Sequence, residues 1–402
     1  MAAQVLIAAE VLKEFSLAMN ELLSQEQLSR IVNPPPRFPP LFDNVVLRDQ
    51  IEDFLVEEVP RYVPDGTGEH LFLWIEKRDL PAGELLSCLS SGLGVSQRDI
   101  GVAGQKDRRA VTRQFVSVPS RCGEKLESFS HPKISILSAG LHHNKLRMGH
   151  LIGNRFVIRL RSRRSDSVAS GEHQTAATPA AASIAESDEV FSPEQVNAVR
   201  ARLAEIRRQG FPNYYGPQRF GYRGRTLQDG LRKLTSEESG ERSKKRDFLN
   251  LMSASAVQSA VFNLVVAQRV MDGTACTPES GDVVCGRTGI RPFAFDERGN
   301  TAAEGLIPMG PMPGPEMFPS TGRIREVEMA AMAELGLNDQ LIARHRKQMP
   351  GTRRRMVEFP EDAVADLHSD GSIELRFQLP AGCYATVLLA EVCRFLTPLP
   401  VA

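Results

Sequence analysis

The sequence predicts an α+β protein: a mixed β-sheet packed against helices, with a second, mainly helical domain inserted into it. Three observations carry this prediction. Strand patterning dominates from Val45 to Arg161, where β-branched and aromatic side chains recur at period two. Residues 222–349 are mainly helical. Strand signals return near the end in "SIELRFQLP". Strands drawn from both ends of a chain around a helical middle read as one sheet domain interrupted by another.

The elements follow in order. Residues 5–31 show helical periodicity through Val5, Ala8, Leu12, Phe15, Met19 and Leu22 and stop at the breakers of "NPPPRFPP". Residues 1–40 therefore form an N-terminal helical extension. "NVVLRDQIEDFLVEEV" and "EHLFLWIEK" predict strands separated by the turn sequence "PDGTGE". "LPAGELLSCLSSGL" predicts a helix with Pro81 near its start, and "RQFVSVP", "KISILSAG" and "GNRFVIRLR" predict three more strands. Residues 162–189 are rich in Ala, Ser and Thr and poor in large apolar side chains, which predicts a mobile low-complexity loop. "SPEQVNAVRARLAEIRRQG" restores a helix between Ser192 as N-cap and Gly210 as stop. The first part of the sheet domain thus covers residues 41–221. The inserted domain, residues 222–349, holds the helical run "RDFLNLMSASAVQSAVFNLVVAQRVM" and the loop "GLIPMGPMPGPEMFPSTG". Residues 350–402 complete the sheet domain and close with the helix "AGCYATVLLAEVCRFL".

Composition bounds the function classes. A 42% hydrophobic content suits a soluble globular protein with a real core. Forty-nine basic residues balance forty-nine acidic ones, so net charge gives no bulk signal for nucleic acid, and local clustering has to carry any such signal. Six scattered cysteines without a C-x-x-C pair suggest neither a zinc site nor a disulfide framework and fit a reducing cytoplasm. The N-terminus lacks a basic n-region and Glu10 interrupts its apolar run, against a signal peptide. No apolar run is read as reaching the roughly 18–20 residues of a membrane span.

Four constellations could carry chemistry. In "AGQKDRRAVT" the acid Asp107 stands among Lys106 and several arginines, after glycines that permit close backbone approach. It is either a solvated turn of mixed charge or a working carboxylate, and the latter needs a cation from elsewhere in the fold, since desolvation disfavours a charged carboxylate. The run "HHNKLRMGHLIGNRFVIRLRSRR", residues 142–164, has no acid and interleaves Lys145, Arg147 and Arg155 with Asn154 and Phe156. Cations position phosphates, while an aromatic and an amide can hold an unstacked base; otherwise the run is a strand with a basic face. "ARHRKQMPGTRRR", containing Arg353 and Arg354, is a second acid-free cluster, either a backbone grip or a solvated linker. "FPNYYGPQRFG", with Arg219, packs aromatics into a loop, more often as packing anchors than as ligands. His142 and His143 lack a third ligand at sensible spacing, so no metal is expected.

Taken together, these segments resemble the TruD family of tRNA pseudouridine synthases. "EDFLVEEV" with "PDGTGEHLFLWIEK", then "AGQKDRRAVTRQ", "NKLRMGHLIGNRFVIRLR" and "NYYGPQRFG" follow the family's motifs in order, with "SAVFN", "GPMPG" and "LPAGCYATVLL" further on. The likeness spans residues 43–402 apart from the low-complexity segment. It implies a pseudouridine synthase fold with a TruD-specific helical insertion. It also places Asp107 at the catalytic aspartate, Phe156 at the aromatic that stacks on the target uracil and Asn154 at the neighbouring amide. Arg48 falls where many members have lysine, and Phe54 is the Phe of the "EDF" element; Lys106 joins these as a substrate contact. Arg48 would be the cation that Asp107 requires. As RNA-backbone candidates there remain Lys145, Arg147, Arg155, Arg219, Arg353 and Arg354.

The resemblance implies conversion of a tRNA uridine, at position thirteen of the D-arm, to pseudouridine by a cytoplasmic monomer. No cofactor is expected, because the reaction is an isomerisation. Asp107 would attack C1′ as a nucleophile or remove the C2′ proton. Two alternatives are an RNA chaperone of the same fold without catalysis and an enzyme that releases the base. The neutral total charge predicts modest, strongly salt-dependent tRNA affinity.

Overall fold

The computed structural model describes residues 22–163, 188–235, 244–296 and 303–396. The first seventeen residues of the expected N-terminal helix and most of the low-complexity segment lie outside these. The chain divides into two compact units. One comprises residues 38–210 and 359–399, the other residues 1–37, 211–358 and 400–402.

The first, the sheet unit, is built on eleven strands. They are β1 (Phe42–Leu47), β2 (Phe54–Pro60), β3 (His70–Arg78), β4 (Gly101–Val102), β5 (Val111–Pro119), β6 (Ile134–His142), β7 (Leu151–Arg163), β8 (Asp188–Glu189), β9 (Glu361–Leu367), β10 (Ile373–Pro380) and β11 (Cys393–Phe395). The main order is β9-β10-β7-β2-β5-β3-β6. Pairing of β2 with β5 and of β1 with β11 is parallel, and the other contacts are antiparallel, so the sheet is mixed. Helices α1 (Ala82–Leu93), α2 (Pro193–Gln209) and α3 (Ala385–Ala390) complete the unit.

Local chemistry explains the elements. Helix α1 stops at Gly94, whose φ of +65° reverses the chain. Its Leu85, Leu89 and Leu93 form one buried face against Leu71, Leu73 and Ile75 of β3 and Val116 and Val118 of β5. Each such leucine contributes about 1.5–3 kcal/mol on burial. Helix α2 begins in a capping box between Ser192 and Gln195 and ends at Gly210, as its sequence predicts.

The expected single strand over "NVVLRDQIEDFLVEEV" is two strands. Arg48 takes a left-handed φ of +61°, and the Gln50 N–H donates to Asp53 Oδ2 at 2.8 Å around a short 3-10 turn, so the polar "RDQIED" breaks the ladder. The closing helix is shorter than expected: α3 has six residues and gives way to β11, which pairs with β1.

The second unit is mainly helical and includes helices Gln25–Val32, Arg225–Thr235, Lys244–Met271, Gly322–Glu334 and Asp339–Arg344. It also contains a four-stranded sheet. Part of the segment expected as a loop, Leu306–Met312, is a strand of that sheet despite its two prolines. Proline lacks the N–H but keeps its carbonyl, and Pro308 O accepts from Met356 N at 2.8 Å. The window Leu251–Met271 is long and apolar enough to cross a membrane by length and composition, contrary to the expectation that no such run exists. Of its most apolar window 78% is buried inside the protein, as in the core helix of a soluble protein.

Residues 22–37, read as part of an N-terminal extension, lie in this helical unit, and so do residues 211–221, read as the end of the first part of the sheet domain. Asn263 accounts for both. Its Nδ2 donates to the carbonyls of Ile31 and Tyr215 at 2.9 Å each, and its Oδ1 accepts from Tyr215 N at 2.9 Å.

Candidate active site

Sheet register brings Phe54, Asn154 and Phe156 onto one face. Antiparallel pairing sets Phe54 opposite Ile158, Val56 opposite Phe156 and Glu58 opposite Asn154. Strand β10 sets Phe377 opposite Phe156. Val56 neighbours Thr112 on β5, and Thr112 is opposite Lys77 on β3. Because neighbours in register point to the same side, Phe377, Phe156, Val56, Thr112 and Lys77 form a row across five strands. The glycine of "GNRF" is a steric requirement of this arrangement. A Cβ on Gly153 would lie 2.2 Å from the Leu379 carbonyl oxygen of the adjacent strand.

Asp107 sits between β4 and β5, and its Oδ1 lies 3.2 Å from Nη2 of Arg48. Arg48 comes from the connection between β1 and β2, in the left-handed conformation that breaks those strands. Holding a non-glycine residue there costs on the order of 1 kcal/mol. Its guanidinium lies 3.9 Å over the centroid of the Phe54 ring. Phe54 in turn meets Phe156 edge-on at 6.2 Å, and Phe156 stacks on Phe377 at 5.4 Å. The Arg48 side chain is 9% exposed and that of Asp107 28%, so the pair is closed behind the guanidinium and open at the carboxylate. Arg48 Nε and Asn154 Oδ1 are buried without a hydrogen-bond partner among the described residues. Native interiors rarely leave such atoms unpaired, and both are capacity for a ligand.

Two lysines bind the Asp107 segment to the sheet. Lys106 Nζ is 2.9 Å from Glu58 Oε2 in an ion pair with both side chains almost fully buried. The other Glu58 oxygen accepts from Phe115 N at 3.4 Å. The charge of Lys106, expected at the substrate, is thus taken up inside the unit. Lys77 is fully buried and donates to the carbonyls of Leu80 at 2.8 Å and of Asp107 itself at 2.7 Å. Burial lowers its pKa to about 8; the Asp107 charge opposes this shift, that of Lys106 adds to it, and Asp79 opposes it.

Lys77, Glu58 and Phe377 escape the sequence reading. Their roles come from register between strands far apart in the chain, and no local spacing signals them.

The RNA-backbone candidates divide. On β7, Arg155 lies 3.3 Å from Glu57, Arg159 3.5 Å from Glu374, and Arg161 grips Asp53 at 2.9 and 3.1 Å. The run that is acid-free in sequence therefore meets acids in space. Lys145 donates to the Arg98 carbonyl, and Arg147 is exposed. In the helical unit Arg353 is buried against Glu328, Arg354 bonds Asn213 and lies 4.3 Å over the Tyr215 ring, and Arg219 bonds Ser255 and Ser259. The segment "NYYGPQRFG" thus acts as a packing hub: Tyr214 and Phe220 are buried, and Tyr214 Oη donates to Pro35 O at 3.1 Å. His142 stacks on Phe72 at 4.5 Å, and His143 lies 3.1 Å from Thr67 Oγ1. Among the described residues no group of three His, Cys, Asp or Glu side chains is placed to hold a metal ion.

Comparison with known proteins matches this chain to a family over most of its length. The family model described as tRNA pseudouridine synthase D (TruD) matches residues 44–235 and 225–392. The tRNA pseudouridine synthase D of Wolinella succinogenes is 32% identical over 375 residues, covering 85% of this chain and 92% of the relative. That of Thermus thermophilus is 34% identical over 373 residues, covering 90% and 94%. The fold is that of a solved TruD from Methanosarcina mazei, with a TM-score of 0.60 at 24% identity over 90% of this chain and 94% of that one. The chain belongs to the TruD family of tRNA pseudouridine synthases, enzymes of the isomerase class.

Proposed function

We propose that this chain isomerises a uridine of tRNA to pseudouridine, with Asp107 acting on the ribose of a nucleotide flipped out of its stack. The observation that carries the reading is the Asp107–Arg48 ion pair, open at the carboxylate and adjoining a Phe54–Phe156–Phe377 stack. The relatives' shared name, tRNA pseudouridine synthase D, supports tRNA as the substrate. The family resemblance further points to position thirteen in the D-arm. In this reading the sheet unit is the catalytic domain and the helical unit the TruD-specific insertion. Cys88, Cys122, Cys285 and Cys393 are free thiols, which suits action in a reducing cytoplasm.

The chemistry breaks the N1–C1′ bond, turns the uracil and joins C5 to C1′; C5 loses its proton and the freed N1 takes one up. Reactant and product are isomers, so no redox or group-transfer cofactor is needed to balance the reaction. Flipping the nucleotide costs on the order of a few kcal/mol. Stacking on an aromatic side chain, worth about 1–3 kcal/mol per base, offsets it. Phe156 would take the face of the uracil, and Asn154 Oδ1, unpartnered among the described residues, would accept from its N3–H. Arg48 holds one oxygen of Asp107 and leaves the other to meet the ribose at C1′ or at the C2′ proton.

The test is tritium release from a tRNA transcript carrying [5-³H]uridine, for wild type beside Asp107→Asn. C5 loses its hydrogen when the new C–C bond has formed. Release from wild type and none from Asp107→Asn, with tRNA binding kept in both, is the expected result. Release from both would remove Asp107 from the reaction. Binding without release in either would make the protein a chaperone of the same fold, and free uracil would make it a base-releasing enzyme.

A further inference from the structure

We infer that Lys77 is a positioning residue for Asp107: its buried ammonium fixes the Asp107 main chain from β3 while Arg48 holds the carboxylate, so that the reactive oxygen stands at one place. The inference rests on the proposed role of Asp107.

Several observations converge on it. Lys77 has no exposed surface and makes no ion pair among the described residues. An ammonium taken from water without a carboxylate in contact carries a large desolvation cost, which the nearby Asp107 and Asp79 charges do not cancel, and an apolar side chain would fill the same space without it. What the ammonium gains is two carbonyl acceptors, and one of them belongs to Asp107 at 2.7 Å. Leu80 O, at 2.8 Å, lies in the turn just after β3 and anchors the same Nζ to rigid structure. Lys77 also stands in the row that carries Phe156 and Phe377, so one sheet fixes both the base-stacking aromatics and the carboxylate's backbone.

The charged groups facing Lys77 are Asp107 and Lys106 from the segment above it and Asp79 from the turn; Thr112 and Ile134, its neighbours on β5 and β6, carry no charge. Its pKa, lowered by burial to about 8, means that the ammonium loses its charge as pH rises through that value. A carboxylate displaced by about 1 Å from its near-attack position can lose on the order of 100-fold in rate.

The experiment is single-turnover tritium release between pH 6 and 9 for wild type, Lys77→Met and Asp107→Asn, with tRNA affinity measured alongside. Lys77→Met is expected to lose ten- to a hundredfold in the rate of the chemical step with tRNA affinity changed less than about threefold. Wild type is expected to lose rate above pH 8, and the variant to lack that limb. A merely structural lysine would move folding and affinity but not the pH limb. Lys77→Met within twofold of wild type at every pH, beside an inactive Asp107→Asn, would overturn the role of Lys77 alone. Activity surviving in Asp107→Asn would overturn the proposed function instead. Should Lys77→Met fail to fold, the wild-type profile decides: a rate flat from pH 7 to 9 overturns the inference.

Discussion

Arg48 combines three costly features at one position: a left-handed backbone, a nearly buried guanidinium and a buried Nε without a partner among the described residues. Strain of this kind persists where the surroundings over-determine it, and here those surroundings are the Phe54 ring below and the Asp107 carboxylate beside it. A guanidinium suits the place because it is planar and stacks on an aromatic face while its edge pairs with an oxygen. Arg48→Gln keeps some of the volume and removes the charge, and is expected to lower the single-turnover rate by about 100-fold, the range found when one electrostatic partner of a reacting group is removed. Arg48→Lys restores the charge without the flat stacking surface and is expected to recover most of that loss, to within about tenfold of wild type. Single-turnover release with both variants reads this directly. If Gln performs as well as Lys, the charge of Arg48 is not what serves Asp107.

Strand β7 shows how one element joins fold to chemistry. It lies between β10 and β2, presents Asn154 and Phe156 toward the site, and pairs Arg155 and Arg159 with acids from those two neighbours. Its approach to β10 depends on Gly153, since a Cβ there would fall 2.2 Å from the Leu379 carbonyl oxygen. Gly153→Ala is therefore expected to destabilise the protein by about 1–3 kcal/mol, the usual cost of overpacking, and to slow the reaction by shifting Asn154. Urea unfolding midpoints would show it, and an unchanged midpoint would mean that the strands part without penalty. The same element marks what a sequence reveals. Alternating apolar residues locate β3, β5, β7 and β10, short motifs single out Asp107, Asn154 and Phe156, and the family resemblance adds Arg48. Cross-strand partners were not legible: Glu57, Glu374 and Phe377 meet β7 through register alone. Nor was the break at Arg48, because its left-handed turn is imposed by tertiary contacts and not by a glycine or proline.

For the whole molecule, the balanced charge matters less than where the cations are already paired. Arg353 is held by Glu328 inside the helical unit and Arg155 by Glu57 on the sheet, whereas Arg147 is exposed and forms no ion pair among the described residues. A phosphate contact releases counterions and adds about 0.7–0.9 to the slope of log affinity against log salt. An arginine already neutralised by a buried carboxylate adds nothing to that slope, however basic its surroundings in sequence. Arg147→Ala is accordingly expected to reduce the slope for tRNA by about 1 and to leave the urea midpoint unchanged. Arg353→Ala is expected to do the reverse, because it strands the Glu328 carboxylate in the interior, a loss of about 3–5 kcal/mol when a buried pair is broken from one side. Filter-binding affinities across a salt series, beside unfolding curves for the same two proteins, separate the roles. If Arg353→Ala lowered the salt slope at full stability, the cluster "RRR" would be gripping RNA, and its ion pair with Glu328 would have to open for binding.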